Sequence, residues 1–144
     1  MAEALTIANA LRLAHGCLRD AKALAASRSR NAAYLAQQAL EQVIRAIATS
    51  ENLHIERSDA HQLDKTVRRF PDDHAEKQSL ASIVWLEAYA TTFRYTLPSG
   101  RIPPSPDDAR LSDALVELER LILQATTHFQ VDISSEALPA RNPK

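Results

Sequence analysis

The sequence predicts an all-α fold, an up-and-down helical bundle of about five helices. Apolar residues recur at spacings of three and four along several long segments, which is the period of one buried helix face. The 144 residues contain only two glycines, too few for the many tight turns of an all-β fold. Apolar residues make up 45% and charged residues 24%, as in a globular domain. We therefore expect one helical domain over residues 1–130 and a disordered tail over 131–144.

The first third of the chain predicts two long helices. The first runs from about residue 3 to 26, and the second from about Asn31 to Thr49. The apolar stripe of the first is Ile7, Leu11, Ala14, Leu18, Ala21 and Ala25. The apolar stripe of the second is Ala32, Ala36, Leu40, Val43 and Ile47. A polar stripe lies on the opposite side of the second helix, at Tyr34, Gln38, Glu41, Arg45 and Thr49. It predicts a solvated face with an i,i+4 ion pair, and its tyrosine suggests a ligand or partner.

A short third helix is predicted after a polar connection at 50–57. Ser58 or Asp59 fits its N-cap, because either side chain can accept a free N–H group of the first turn. Pro71 cannot continue a helix, so the helix should end near Phe70.

Two more helices follow. Asp73 and Glu76 fit a capping box for a fourth helix that runs to about 93–95. Its apolar residues are Leu80, Ile83, Val84, Leu86 and Ala90. After a proline-rich loop, Ser105 fits an N-cap and Pro106 the first position of a fifth helix. Its apolar stripe is Leu111, Leu115, Leu118, Ile122, Ala125 and Phe129.

Composition excludes several classes of function. Cys17 is the only cysteine, so neither an internal disulfide nor a cysteine-based zinc site can form. The two glycines cannot build a Gly-rich phosphate loop, and no metal-binding motif appears, so no metal or cofactor is predicted. A net charge of −1 does not suit a chain that coats nucleic acid. Residues 1–50 do carry six Lys or Arg against three acids, which permits a local anion site.

Neither a membrane span nor a secretory leader is predicted. No apolar run reaches the roughly 18 residues that a membrane helix needs. The first residues lack a basic segment before an apolar one. We expect a cytoplasmic protein without membrane contact.

His61 has three possible roles on the residues alone. As a residue of the first turn of the third helix, it would tend to be neutral, because a helix N-terminus disfavours positive charge. A neutral imidazole that ties this helix to its neighbours is the simplest interpretation. Ligand binding comes second. A metal role lacks a supporting motif.

Three short motifs, taken in order, resemble the HEPN superfamily. AAYLAQQALEQVIRAI supplies Gln37, Glu41 and Arg45. AHQL then supplies His61, and FRYTLP supplies an aromatic-Arg-Tyr motif at Phe93, Arg94 and Tyr95. The likeness spans about residues 5–128. It implies an HEPN-like bundle that is commonly dimeric and acts either as a ribonuclease toxin or as a non-catalytic module beside a nucleotidyltransferase.

The ribonucleases of this superfamily resemble each other in an Arg-x4–6-His motif before the last long helix. Here the region before the fifth helix, 94–110, contains arginines but no histidine. Arg69 and His74 have four residues between them, yet they come early in the chain and flank Pro71. Two aspartates beside His74 would repel an RNA phosphate. Arg69 and His74 are therefore the catalytic residues of an alternative only, in which RNA is the substrate.

The resemblance thus favours a binding module over an enzyme. It implies a ligand site in which Glu41, Arg45, His61, Arg94 and Tyr95 meet in one cleft. An arginine there can bind one phosphate through two parallel N–H···O hydrogen bonds, and a tyrosine can stack on a base. The expected partners are a nucleotide or other anion, a separate nucleotidyltransferase chain and a second copy. A third hypothesis is a purely structural dimer, since Leu121 and Leu123 lie outside the apolar stripe of the fifth helix.

Overall fold

The described residues, 2–59 and 62–144 of a computed structural model, form helices and no strands. Five α-helices are present: α1 Ala2–Ala26, α2 Asn31–Ser50, α3 Leu63–Arg68, α4 Lys77–Ile83 and α5 Asp108–His128. Three 3-10 helices accompany them: Arg57–Asp59, Val84–Ala90 and Thr92–Arg94. The predicted all-α fold is confirmed. No helix in the described ranges has both the length and the apolar character that crossing a membrane requires.

The three long helices α1, α2 and α5 bury the stripes predicted for them. Most of the stripe residues are less than 9% exposed, and Ala25 is half-buried. α1 and α2 pair most extensively, and both helices contribute many small side chains to the core. The fully buried alanines of these two helices include Ala14, Ala21, Ala32, Ala36 and Ala39. Small residues allow two helix axes to approach closely.

Each long helix ends in the same way, with a residue in the left-handed conformation and two backbone hydrogen bonds. The left-handed residue donates to the carbonyl three residues back, and the next residue donates to the carbonyl five residues back. After α1, Arg28 has φ 59°, its N–H donates to Ala25 O, and the next N–H donates to Leu24 O at 2.9 Å. Asn52 after α2 and Gln130 after α5 repeat this arrangement at φ 56° and 51°. This is the Schellman ending, in which glycine is the usual left-handed residue.

The N-terminus of α3 differs from its prediction. Ser58 and Asp59 belong to the separate 3-10 helix Arg57–Asp59, and α3 begins only at Leu63. A distant carboxylate replaces the predicted cap, because the Leu63 N–H donates to Glu87 Oε1 at 2.6 Å. The cap prediction was therefore wrong, since a contact across the fold supplies the acceptor.

The predicted long fourth helix is divided. α4 occupies only Lys77–Ile83, and the chain continues as two 3-10 helices to Arg94. Aromatic and β-branched residues are frequent in this continuation and are poor helix formers. The Asp73–Glu76 capping box was wrong, because Glu76 itself precedes the first helical residue and its N–H donates to His74 Nδ1 at 3.1 Å.

The start of α5 was predicted two residues too early. Asp107 is the N-cap, and its side chain accepts the Arg110 N–H at 3.2 Å. The predicted cap Ser105 and first position Pro106 both precede the helix. An aspartate is as good a cap as serine and also suits the positive end of the helix dipole.

The segment after Asp132 lies against α1. Arg12 is only 9% exposed. Its Nε and Nη2 donate to Asp132 O at 2.9 and 2.6 Å, and Nη2 also donates to Leu138 O at 2.8 Å. Ala140 is buried in a small cluster with α1 residues, and its N–H donates to Ala4 O at 3.0 Å. The prediction of a disordered tail at 131–144 did not anticipate these contacts, because composition does not reveal which carbonyls a buried arginine binds.

Candidate ligand-binding groove

A groove of about 410 Å³ opens beside the polar side of α2. Its walls come from α2, from the connection 53–55 and from α3. The lining residues are Thr6, Glu41, Gln42, Ile44, Arg45, Ala48, Thr49, Leu53, His54, Ile55, Leu63 and Thr66. Its volume lies in the usual range for sites that bind small molecules. We call this cavity the α2 groove.

Two of the predicted site residues, Glu41 and Arg45, lie in the α2 groove one helical turn apart. Glu41 is half-buried and Arg45 is exposed. No residue in the described ranges forms an ion pair with the Arg45 guanidinium. Thr49, one turn further on, uses its hydroxyl to donate to Arg45 O at 2.8 Å. Among the described residues, the α2 groove therefore contains an arginine whose guanidinium forms no ion pair and can donate to a ligand.

The opposite wall is held by contacts from α3. Arg69, just past the end of α3, donates from Nη1 to His54 O at 2.7 Å. This bond fixes the connection that carries Leu53, His54 and Ile55. Thr66 of α3 is 2% exposed and also belongs to the lining. The groove thus combines an arginine with threonine and apolar residues, the mixture of polar and apolar groups that is typical of small-molecule sites.

Two of the other predicted ligand residues, Arg94 and Tyr95, are not part of this lining. Arg94 ends the 3-10 helix Thr92–Arg94, and Tyr95 follows it with an exposure of 80%. Neither residue lines the α2 groove. His61 lies outside the described residues. Of the predicted five-residue cleft, the structure brings together Glu41 and Arg45.

The alternative catalytic pair does not share a cavity. Arg69 is bound to the His54 carbonyl. His74 instead lines a separate cavity of about 150 Å³, in which Arg69 takes no part. There its Nδ1 accepts the Glu76 N–H, and its Nε2 lies 3.8 Å from Glu51 Oε1. Carboxylates around the imidazole do not suit an RNA phosphate.

The remaining reactive groups give no sign of catalysis or metal binding. Burial raises the pKa of the Cys17 thiol, and Asp20 raises it further. A raised pKa leaves less of the nucleophilic thiolate. Within 2–59 and 62–144, no three His, Cys, Asp or Glu side chains are grouped so as to hold a metal ion.

The sequence did not identify several groups that matter to this region. Thr66 and His54 join the α2 groove only through the folding of the connection over α2, so no local pattern indicates them.

Gln37 belonged to the HEPN-like motif, but its side chain is fully buried. Its Oε1 accepts a bond from Gln38 at 2.7 Å, while its Nε2 has no partner. An unpaired buried amide is costly and unusual.

Comparison with known proteins adds no relative to this description. No family model, no curated protein and no solved structure matches the chain. The likeness to the HEPN superfamily therefore stays a prediction from its motifs.

Proposed function

We propose that this protein is a non-catalytic binding module that holds an anionic ligand, in the first place a nucleotide, in the α2 groove. The observation that supports this most is the Arg45 guanidinium, which lies in a groove of about 410 Å³ and has no ion-pair partner in 2–59 and 62–144. A guanidinium matches the geometry of phosphate and can bind two of its oxygens at once. Leu53 and Ile55 also line the groove and supply apolar surface for the rest of the ligand.

The groove favours binding over reaction. Catalysis of phosphodiester cleavage without a metal requires a base and an acid at the same reacting atoms. Arg69 donates a hydrogen bond to the His54 carbonyl in the wall of the groove, and His74 lines a different cavity. The ribonuclease therefore becomes the second candidate. Cleavage of RNA in the presence of a chelator, lost in His74→Ala, would support it over the binding module.

The HEPN resemblance supports two partners for this module, a nucleotidyltransferase chain and a second copy. The exposed face of α5 also favours a dimer, since Val116 and Leu123 are 65% and 66% exposed and lie two turns apart. Leu121, which was also expected to contribute, is 1% exposed and packs in the core instead. A purely structural dimer would use this same face and would bind no ligand. Light scattering at micromolar concentration measures the dimer directly.

The test is a thermal-shift panel of phosphate, mononucleotides and dinucleotides on the wild type and on Arg45→Gln. A ligand present at 100 times its dissociation constant stabilises the native state by about 2.7 kcal/mol. For a chain of this size that corresponds to a rise of roughly 5–10 °C in Tm. We expect one nucleotide to give this shift and Arg45→Gln to abolish it.

The matched control is Arg94→Gln, which removes another exposed arginine outside the groove. Arg94→Gln should leave the shift intact. A shift that is lost in Arg94→Gln and kept in Arg45→Gln would place the ligand at the predicted Arg94–Tyr95 motif. No shift with any member of the panel would contradict nucleotide binding.

A further inference from the structure

An exposed loop between the last 3-10 helix and α5 presents several large side chains to solvent. Within eight residues, Tyr95, Leu97 and Ile102 are 80%, 41% and 57% exposed. Single exposed apolar residues are common, but several of them close together in the chain favour an interaction site. We call residues 94–102 the 94–102 loop.

The 94–102 loop has a defined backbone. The Leu97 N–H donates to Arg101 O, and the Gly100 N–H donates to Leu97 O, both at 2.8 Å. Gly100 closes this turn at φ 82°, a value that glycine adopts without strain. Proline residues at 98, 103 and 104 restrict the backbone further. Binding by a preformed loop loses less conformational entropy than binding by a flexible one.

The loop is also positively charged without compensation. Residues 88–106 contain Arg94 and Arg101 but no Asp or Glu. Neither guanidinium forms an ion pair with any residue that the structure describes. The nearby Arg110 differs, because its guanidinium carbon lies 4.0 Å from the centre of the Trp85 ring. Tyrosine and arginine are the residue types that most often dominate the energy of protein interfaces.

We propose that the 94–102 loop is a docking element for a segment of a second protein that combines apolar side chains with carboxylates. Tyr95, Leu97 and Ile102 would contact the apolar side chains of this segment, and Arg94 and Arg101 would contact its carboxylates. Such charge complementarity speeds association and rejects partners of like charge. This inference does not depend on ligand binding in the α2 groove, because none of the loop residues lines that groove.

The test is a selection from a displayed library of random twelve-residue peptides against the purified full chain. The double variant Tyr95→Ser/Ile102→Ser serves for counter-selection. The matched control is Leu13→Ser/Leu138→Ser, which removes two exposed apolar side chains, 58% and 45% exposed, from outside the loop. We expect enriched peptides that combine apolar residues with Asp or Glu. Synthetic copies should bind wild type and the control variant alike, and at least tenfold more weakly to the loop variant.

Charge reversal sharpens the test. Arg94→Glu/Arg101→Glu should also weaken the peptides at least tenfold, and higher salt should weaken binding to wild type. The proposal is overturned if no peptides are enriched, or if the peptides bind the loop variant as well as wild type. It is equally overturned if the loop instead binds a ten-nucleotide single-stranded RNA, or if it mediates a dimer that the loop variant dissolves.

Discussion

The three long helices and the segment between α2 and α5 are built on different principles. α1, α2 and α5 each bury one periodic stripe and each end with a left-handed residue and the same pair of backbone bonds. The described part of segment 51–107 instead contains α-helices of at most seven residues and three 3-10 helices. Structure in the long helices is thus specified by neighbours in sequence, whereas the middle segment depends on contacts across the fold.

Side chains that bind distant backbone groups hold the middle segment together. Glu87 accepts the first N–H of α3. Lys77 donates from Nζ to Arg68 O at 3.1 Å, to Phe70 O at 2.6 Å and to Asp72 Oδ1 at 2.8 Å. The bond from Lys77 holds the pKa of the Asp72 carboxyl below its usual value. One wall of the α2 groove and the whole 94–102 loop belong to this segment, whereas Arg45 and the exposed face of α5 belong to the long helices.

The largest expected effect comes from removing a core side chain of the middle segment. Phe70 is 2% exposed and its ring centre lies 5.8 Å from that of His74. Because short helices cannot hold themselves together, we expect Phe70→Ala to cost about 3–5 kcal/mol of unfolding free energy. Urea unfolding measures this. Tyr95→Ala, at an 80% exposed position, is the control and should change stability by less than about 0.5 kcal/mol. A loss below about 1 kcal/mol for Phe70→Ala would show that the segment tolerates local disorder.

The α1–α2 pair should be sensitive to the opposite change, an enlarged side chain. Ala36 is 0% exposed and belongs to the same core cluster as Ala14 and Ala21 of α1. Leucine at this position would force the helices apart, so we expect Ala36→Leu to cost about 1–3 kcal/mol. The control is Ala23→Leu, the same change at an exposed position of α1, which should cost almost nothing, because both residues favour helices. Equal stability of the two variants would mean that the contact is not closely packed.

The same difference explains what the sequence could predict. Periodic stripes located α1, α2 and α5 within a few residues, because a buried helix face leaves a regular pattern. The start of α3 was misplaced, because its cap is Glu87, 24 residues from Leu63. No local pattern could have indicated that acceptor. The continuation of α4 was predicted as α-helix from its apolar residues, but aromatic and β-branched residues and tertiary packing gave 3-10 helices instead.

The predicted site residues show the same difference between a long helix and the middle segment. Glu41 and Arg45 were predicted on one stripe of α2, and the structure places both in the α2 groove. Arg94 and Tyr95 were joined to them only through a family resemblance. Their position depends on how residues 84–95 fold, and sequence periodicity described that region least well. A helical stripe therefore predicts neighbours reliably within one helix, while the meeting of two elements requires the tertiary structure.

The smallest expected effect concerns the shared ending of the long helices. Gln130 adopts φ 51° after α5 and Asn52 adopts φ 56° after α2. A left-handed conformation costs most residues about 1–2 kcal/mol, but glycine adopts it freely and asparagine tolerates it. Part of the gain is lost because glycine also makes the unfolded chain more flexible. We therefore expect Gln130→Gly to raise the unfolding free energy by up to about 1 kcal/mol, and Asn52→Gly to raise it less.

The control for this prediction is Gln124→Gly, the same substitution at an exposed position inside α5. Glycine within a helix should lower stability by roughly 0.5–1 kcal/mol, so the two Gln→Gly variants should shift the urea midpoint in opposite directions. If Gln130→Gly also lowers the midpoint, the glutamine conformation is not strained. The long helices would then owe their endings to the packing that follows them, as the middle segment does, and the contrast between the two regions would lose its basis in local sequence.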